Sequence, residues 1–99
     1  MAFRTTFTVT IPDGAADEVV DDLTTREAHR ADQLARRGKL VRLWALPAEP
    51  DTSQALGLWR AQNLSELQAI LTSLPLDPWM TTQTTPLTEH PNDPATSVS

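Results

Sequence analysis

The sequence predicts an α+β domain in the order βαββαβ, a four-stranded antiparallel sheet with two helices on one face. Three observations carry this. Segments whose apolar residues recur at every second position alternate with segments whose apolar residues recur at helical spacing. Pro, Asp and Gly mark most of the junctions between them. A length of 99 residues with 39% apolar content supplies one core and not two.

The first strand is expected over Phe3 to Ile11, where Phe3, Phe7, Val9 and Ile11 share one face and β-branched Thr fills both. Pro12, Asp13 and Gly14 stop it. A helix follows from about Ala15 to Arg37, with Asp17, Glu18, Asp21 and Asp22 in its first turns, Arg36, Arg37 and Lys39 at its end, and Gly38 at the usual left-handed stop. That charge order suits the helix dipole, so the acidic cluster reads as a solvated helix start. Leu40 to Leu46 is a second strand, ended by Pro47, and 47–53 has the composition of an exposed connection to a third strand over Gln54 to Arg60. Gly57 inside it marks a close approach or a bulge. Asn63 and Glu66 form a capping box before Leu64, Leu67, Ile70, Leu71 and Leu74, a second helix that Pro75 ends. After the Leu-Pro-Leu-Asp-Pro turn, the Thr-rich stretch from Trp79 to Leu87 is the fourth strand. Residues 1–88 thus form the domain and 89–99 an aperiodic tail or arm. Helices on one face leave the other face of the sheet bare, so a homodimer with sheets face to face, or a higher oligomer, is the expected state.

Composition excludes several functions. Eight Lys and Arg against 13 Asp and Glu give a net charge of −5, which disfavours nucleic acid as a partner. No run approaches the roughly 18 apolar residues of a membrane span, and the expected location is cytoplasmic. The chain has no cysteine, which removes disulfides, thiol nucleophiles and Cys-based zinc sites, and its two histidines have no ligand spacing, so no metal site is expected. Three glycines form no phosphate loop, and no flavin or nicotinamide motif occurs, so any reaction is expected to be cofactor-free. No Gly-x-Ser-x-Gly elbow activates a serine.

Carboxylates and arginines remain. On a helical wheel centred on Leu23, Ala16, Val19 and Leu34 lie within about 40°, and so do Glu27 and Arg30. The two charges read either as an ion pair at the rim of the stripe or as a pocket base with a cation beside it; desolvation would raise the Glu27 pKa toward the range of a group that takes and returns a proton. With regular alternation Arg42 shares a strand face with Leu40, Trp44 and Leu46, where it either binds a substrate carboxylate bidentately or makes an interface ion pair. Trp44, Trp59 and Trp79, expected in three different strands, are core, subunit contacts or pocket walls. His29 lies about 200° from Glu27 and faces solvent. His90, in the tail, is either idle or lines the pocket of a neighbouring copy.

Several segments together resemble the muconolactone delta-isomerase family: Glu27, Gln33-Leu34-Ala35-Arg36-Arg37-Gly38, Leu43-Trp44, Ser73-Leu74-Pro75-Leu76-Asp77-Pro78-Trp79-Met80, and Thr88-Glu89-His90-Pro91. The Leu-Pro-Leu-x-Pro-aromatic-Met string is the most specific of these. The resemblance implies a small ferredoxin-like protein of aromatic catabolism, paired into a dimeric α+β barrel and commonly assembled into decamers. It implies a small-molecule substrate and a reaction in which a base removes a ring hydrogen of an unsaturated γ-lactone, a dienolate forms, and the proton returns at the α carbon. Glu27 matches the family's helix-one Glu as that base, with Arg42 and Arg30 as anion holders and Trp44, Trp59, Trp79 and His90 around the substrate. The sequence departs from the family where the Lys after this Glu is Ala28, where the Arg-His pair before Leu-Trp is Val41-Arg42, in a longer loop at 47–53, and at Thr82 and Thr84, where the family is aliphatic. Two alternatives stay open: a related cyclase, dehydratase or dehalogenase acting on another enolisable substrate, and a ligand-binding α+β barrel without catalysis. Pairing of Glu27 with Arg30 or Arg42 would favour the last, because a cation lowers the carboxylate pKa and weakens the base.

Overall fold

The computed structural model describes residues 1–95, so residues 96–99 of the expected tail lie outside the described residues. The elements are β1 (Ala2–Thr10), α1 (Asp17–Arg36), β2 (Leu40–Leu46), β3 (Thr52–Arg60), α2 (Leu64–Thr72) and β4 (Met80–Leu87). All neighbouring strands are antiparallel, in the order β2-β3-β1-β4. This is the ferredoxin-like α+β arrangement expected from the sequence.

The core shows where the helices sit. Phe3 and Phe7 of β1, Trp59 of β3, Leu34 of α1, and Leu67 and Leu71 of α2 are buried together with Ala61 and Leu74. Phe3 pairs with Trp59 in register, and the partner of Thr5 is Gly57, so these residues share the sheet face that both helices cover. Thr5 is fully buried on that face, and its hydroxyl is satisfied at 3.0 Å by that of Thr84 on β4. The opposite face carries Arg4, Thr6 and Thr8 of β1 with their partners Leu58, Leu56 and Gln54. Trp44 and Leu46 extend it, 41% and 36% exposed. Among the described residues, the buried core lies on the helix side and leaves this face bare.

Helix ends follow the local chemistry. At the end of α1 the N–H of Gly38 donates to Ala35 and that of Lys39 to Leu34, with Gly38 at φ +75°. At the start of α2 the Asn63 side chain accepts from the Glu66 N–H at 2.8 Å. The second half of the box does not form as expected, because the Glu66 carboxylate pairs with Lys39, which holds its pKa below the usual value.

Several boundaries differ from expectation: β1 also takes in Ala2, and α1 is trimmed to Asp17–Arg36. β1 stops at Thr10, leaving Ile11 outside the strand and exposed, and β3 starts two residues early at Thr52, which donates to the Glu49 carbonyl through both N–H and hydroxyl. α2 ends at Thr72, since Leu74 precedes Pro75 and is steered away from helical dihedrals. Trp79 closes a single 3-10 turn over Asp77–Trp79 instead of opening β4, so only two of the three tryptophans lie in strands. In β2, Leu40 pairs with Trp59 and Arg42 with Leu58, so Val41 is an extra, bulged residue. The bulge reverses the alternation: Leu40 points toward the helices, whereas Arg42, Trp44 and Leu46 point to the bare face. Among the described residues no helix is long and apolar enough to cross a membrane.

Candidate active site

The 20-residue helix α1, the helix-facing side of the sheet and the 74–80 segment do not close completely against one another. They leave a cavity of about 150 Å3 lined by Phe7, Val9, Glu27, Ala31, Leu40, Leu43, Ala55, Trp59, Leu74, Leu76 and Met80. A cavity of that size holds a benzene-sized molecule. Among the described residues Glu27 is its one ionisable wall.

The Glu27 carboxylate has one fixed partner, the Leu76 N–H, which donates to Oε1 at 3.0 Å. The Leu-Pro-Leu-Asp-Pro turn supplies that amide: the helix has ended, and the carbonyls of Leu74 and Leu76 accept from Asp77 and Trp79 instead. Burial pushes the Glu27 pKa above its ordinary value near 4.5; the Leu76 hydrogen bond opposes this and the nearby Asp77 charge adds to it. Desolvation is the largest of the three effects. Among the described residues the ion pairs are Arg26 with Asp22, Arg36 with Asp32 and Lys39 with Glu66, none of which involves Glu27.

The cations singled out from the sequence lie elsewhere. Arg30 directs Nε and Nη2 to the Ser73 hydroxyl at 3.2 and 3.0 Å and Nη1 to Gln33 at 3.3 Å, which braces α1 against the end of α2. Arg42 stacks over Trp44 with its guanidinium carbon 4.9 Å from the ring centroid, on the sheet face opposite Glu27. The expectation that Arg42 shares a face with Leu40 fails because of the bulge at Val41.

Of the tryptophans, Trp59 alone lines the cavity with Glu27; Trp79 is half-buried in its 3-10 turn between the lining residues Leu76 and Met80. Trp59 is 2% exposed and packs on Phe7 with ring centroids 6.1 Å apart. Its Nε1 lies over Gly57, where a Cβ would come within 2.6 Å of it, so the glycine serves close approach and the bulge falls on β2 instead. His90 lies beyond β4 in an exposed turn, its Nδ1 accepting from the Asn92 N–H at 2.9 Å. β4 starts at the cavity with Met80 and runs to Leu87 beside Ala2, so the tail leaves from the far end of the strand. His29 is exposed, as expected.

Sequence reasoning missed the Leu76 amide and the lining leucines. The signal for the amide was a proline-terminated helix followed by a second proline, a turn in which backbone donors go unpaired unless a side chain meets them.

The comparisons with known proteins agree with this architecture. A family model for muconolactone delta-isomerase matches residues 1–93. Muconolactone Delta-isomerase 1 of Acinetobacter lwoffii is 34% identical over 92 residues, covering 93% of each chain. Muconolactone Delta-isomerase of Rhodococcus opacus is 29% identical over 91 residues, covering 92% of this chain and 95% of that one. A crystal structure of muconolactone isomerase matches with a TM-score of 0.81 at 26% identity, covering 94% of each chain. With nearly the whole sequence matched and a carboxylate standing in an apolar cavity of the shared fold, the chain belongs to the muconolactone delta-isomerase family of intramolecular isomerases.

Proposed function

We propose that this protein is a cofactor-free isomerase that shifts one proton on an unsaturated γ-lactone of the muconolactone type, with Glu27 as both acid and base. The observation that supports the reading best is the setting of Glu27: half-buried among apolar side chains, outside every ion pair described, and oriented by the Leu76 N–H. Ionised Glu27 takes the ring hydrogen at the γ carbon, the electrons of that C–H bond shift through the ring to the carbonyl oxygen, and the carboxylic acid returns the proton at the α carbon. One C–H bond breaks, one forms, and the double bond moves, so no electron carrier is required. The raised pKa makes Glu27 a stronger base once ionised and a ready acid once protonated.

A second reading has its own observation. The cavity lining of one chain holds no cation, Arg30 is engaged with Ser73, and Arg42 lies on the other face, so an enolisable ring without a carboxylate fits these walls as well as muconolactone does. The non-catalytic reading loses support, since neither arginine neutralises Glu27 in the structure. The bare sheet face supports a homodimer, and the enzyme is expected to work in the cytoplasm on a small molecule.

The test is an ultraviolet assay of wild type beside Glu27→Gln on muconolactone and on an uncharged unsaturated γ-lactone. Gln preserves the acceptor for Leu76 and removes the proton shuttle, so kcat should fall about 10²- to 10⁴-fold. A variant within a few-fold of wild type would sink the mechanism. Wild-type turnover of the uncharged lactone alone would select the second reading.

A further inference from the structure

Glu27 and Arg30 lie one turn apart on α1, and both reach the same short segment. Glu27 Oε1 accepts from the Leu76 N–H at 3.0 Å, while Arg30 donates from Nε and Nη2 to the Ser73 hydroxyl at 3.2 and 3.0 Å. The later helix residue meets the earlier turn residue, so the two contacts form an antiparallel pair of rungs between α1 and 73–76. The Ser73 hydroxyl has no bonding capacity left over. It donates to the Ile70 carbonyl and accepts both guanidinium N–H groups, which ties its rung to the last turn of α2. Gln33 takes Nη1 of the same guanidinium at 3.3 Å and fixes its plane. Among the described residues these two rungs are the hydrogen bonds that join α1 to the turn; the Asp77 and Trp79 N–H groups bond within the segment itself. Leu74 anchors the turn in the core, but apolar contact is non-directional and leaves its slide along α1 open.

We propose that Arg30 and Ser73 are positioning residues for the isomerisation: their hydrogen bonds fasten the 73–76 turn to α1 and so keep the Leu76 N–H on Glu27 Oε1 while the carboxylate takes and returns the proton. The assignment rests on the reading of Glu27 as the base. A proton shuttle needs one held orientation, because the same carboxyl group serves the γ and the α carbon of one ring. The Leu76 amide supplies that orientation, and the Arg30 brace keeps the amide in place. Beside Glu27 stand Asp77 from the turn and Arg30 from α1, and the strand residues that line the cavity carry no charge. Burial, the Leu76 hydrogen bond and the Asp77 charge are what displace the Glu27 pKa, so the part of Arg30 is placement and not charge.

The experiment follows kcat and KM across pH for wild type, Ser73→Ala, Ser73→Thr, Arg30→Met, the Ser73→Ala/Arg30→Met double variant and Glu27→Gln, on the two lactones above. Ser73 is exposed, so Ser73→Ala deletes the acceptor without opening the core. Without the brace the Leu76 bond no longer opposes desolvation at Glu27. The acid limb of kcat/KM should then move to higher pH than in wild type, and kcat should fall about tenfold while KM stays within about threefold. A brace that only stabilised the fold would lower the melting temperature and leave that limb in place. The double variant should be no worse than Ser73→Ala alone, and Ser73→Thr, which returns the hydroxyl, should recover the wild-type limb. In parallel, the Leu76 amide proton is followed by nuclear magnetic resonance in 15N-labelled protein. Its shift should track Glu27 ionisation in wild type and cease to do so in Ser73→Ala. An acid limb unmoved in Ser73→Ala, or a Leu76 amide that still tracks Glu27 there, overturns the proposal. The amide arm needs no turnover and therefore decides the question on its own if neither lactone is a substrate. Activity kept in Glu27→Gln removes the base instead, and the amide result then judges the brace alone.

Discussion

Glu27 owes its chemistry to what surrounds it rather than to what it is. A carboxylate on a solvated helix face titrates in the usual range, and this one is displaced upward because apolar walls disfavour its charge more than a single backbone amide favours it. The sign for stability follows. Between the unfolded pKa and the raised folded pKa the native chain holds a proton that the unfolded chain has released, so stability falls as pH rises through that window. Glu27→Gln, which cannot titrate, should gain melting temperature relative to wild type as pH rises above the ordinary value near 4.5, a trend that thermal denaturation at a series of pH values would reveal. Activity should run the other way, kcat/KM rising with pH through the same raised value as the base ionises. Glu27 was readable in the sequence because helical spacing put it in an apolar stripe. The arginines lie apart from Glu27 for two local reasons: one bulged residue at Val41 turns Arg42 to the other face from Leu40, against the expected alternation, and Arg30 meets a hydroxyl on Ser73, 43 residues away in sequence.

The elements themselves were readable because their signals are short-range. Asn63 three residues before Glu66 announced the start of α2, and Asn63→Ala should destabilise the fold by about 1 kcal/mol in urea denaturation, since the Glu66 N–H loses its acceptor. Gly57 announced a close approach without saying to what. Its neighbour proves to be the edge of Trp59, and Gly57→Ala should cost about 1–3 kcal/mol through overpacking and disturb the cavity wall, both measurable in the same denaturation series and in the lactone assay. Strand and helix limits missed by one or two residues where a tertiary contact, such as the Thr52 bonds to Glu49, extended or cut an element that propensity alone left open.

At the scale of the whole molecule, the helices consume one face of the sheet and leave the other to Leu56, Leu58, Trp44 and Leu46. An apolar patch on so small a chain is best buried by its copy. Light scattering should therefore give at least a dimer mass, and Leu56→Asp, a charge placed on that face between Thr6 and Trp44, should shift the protein toward monomer; a monomeric wild type would remove the barrel. The tail leaves from the end of β4 away from Met80, so any contribution of His90 to catalysis has to be made to another copy's cavity. The sequence could place four strands along the chain and leave a face bare, but it could not show where the tail departs, because that depends on the direction β4 takes across the finished sheet.

Every step assigned to this protein depends on a desolvated Glu27, and that property can be measured without knowing the substrate. Titration of the Glu27 side-chain carboxyl carbon by nuclear magnetic resonance, assigned by comparison with Glu27→Gln, reports it most directly. A midpoint clearly above the ordinary value near 4.5 is expected. A midpoint at or below that value would mean that water or a cation reaches the carboxylate, and would contradict its role as the buried proton shuttle.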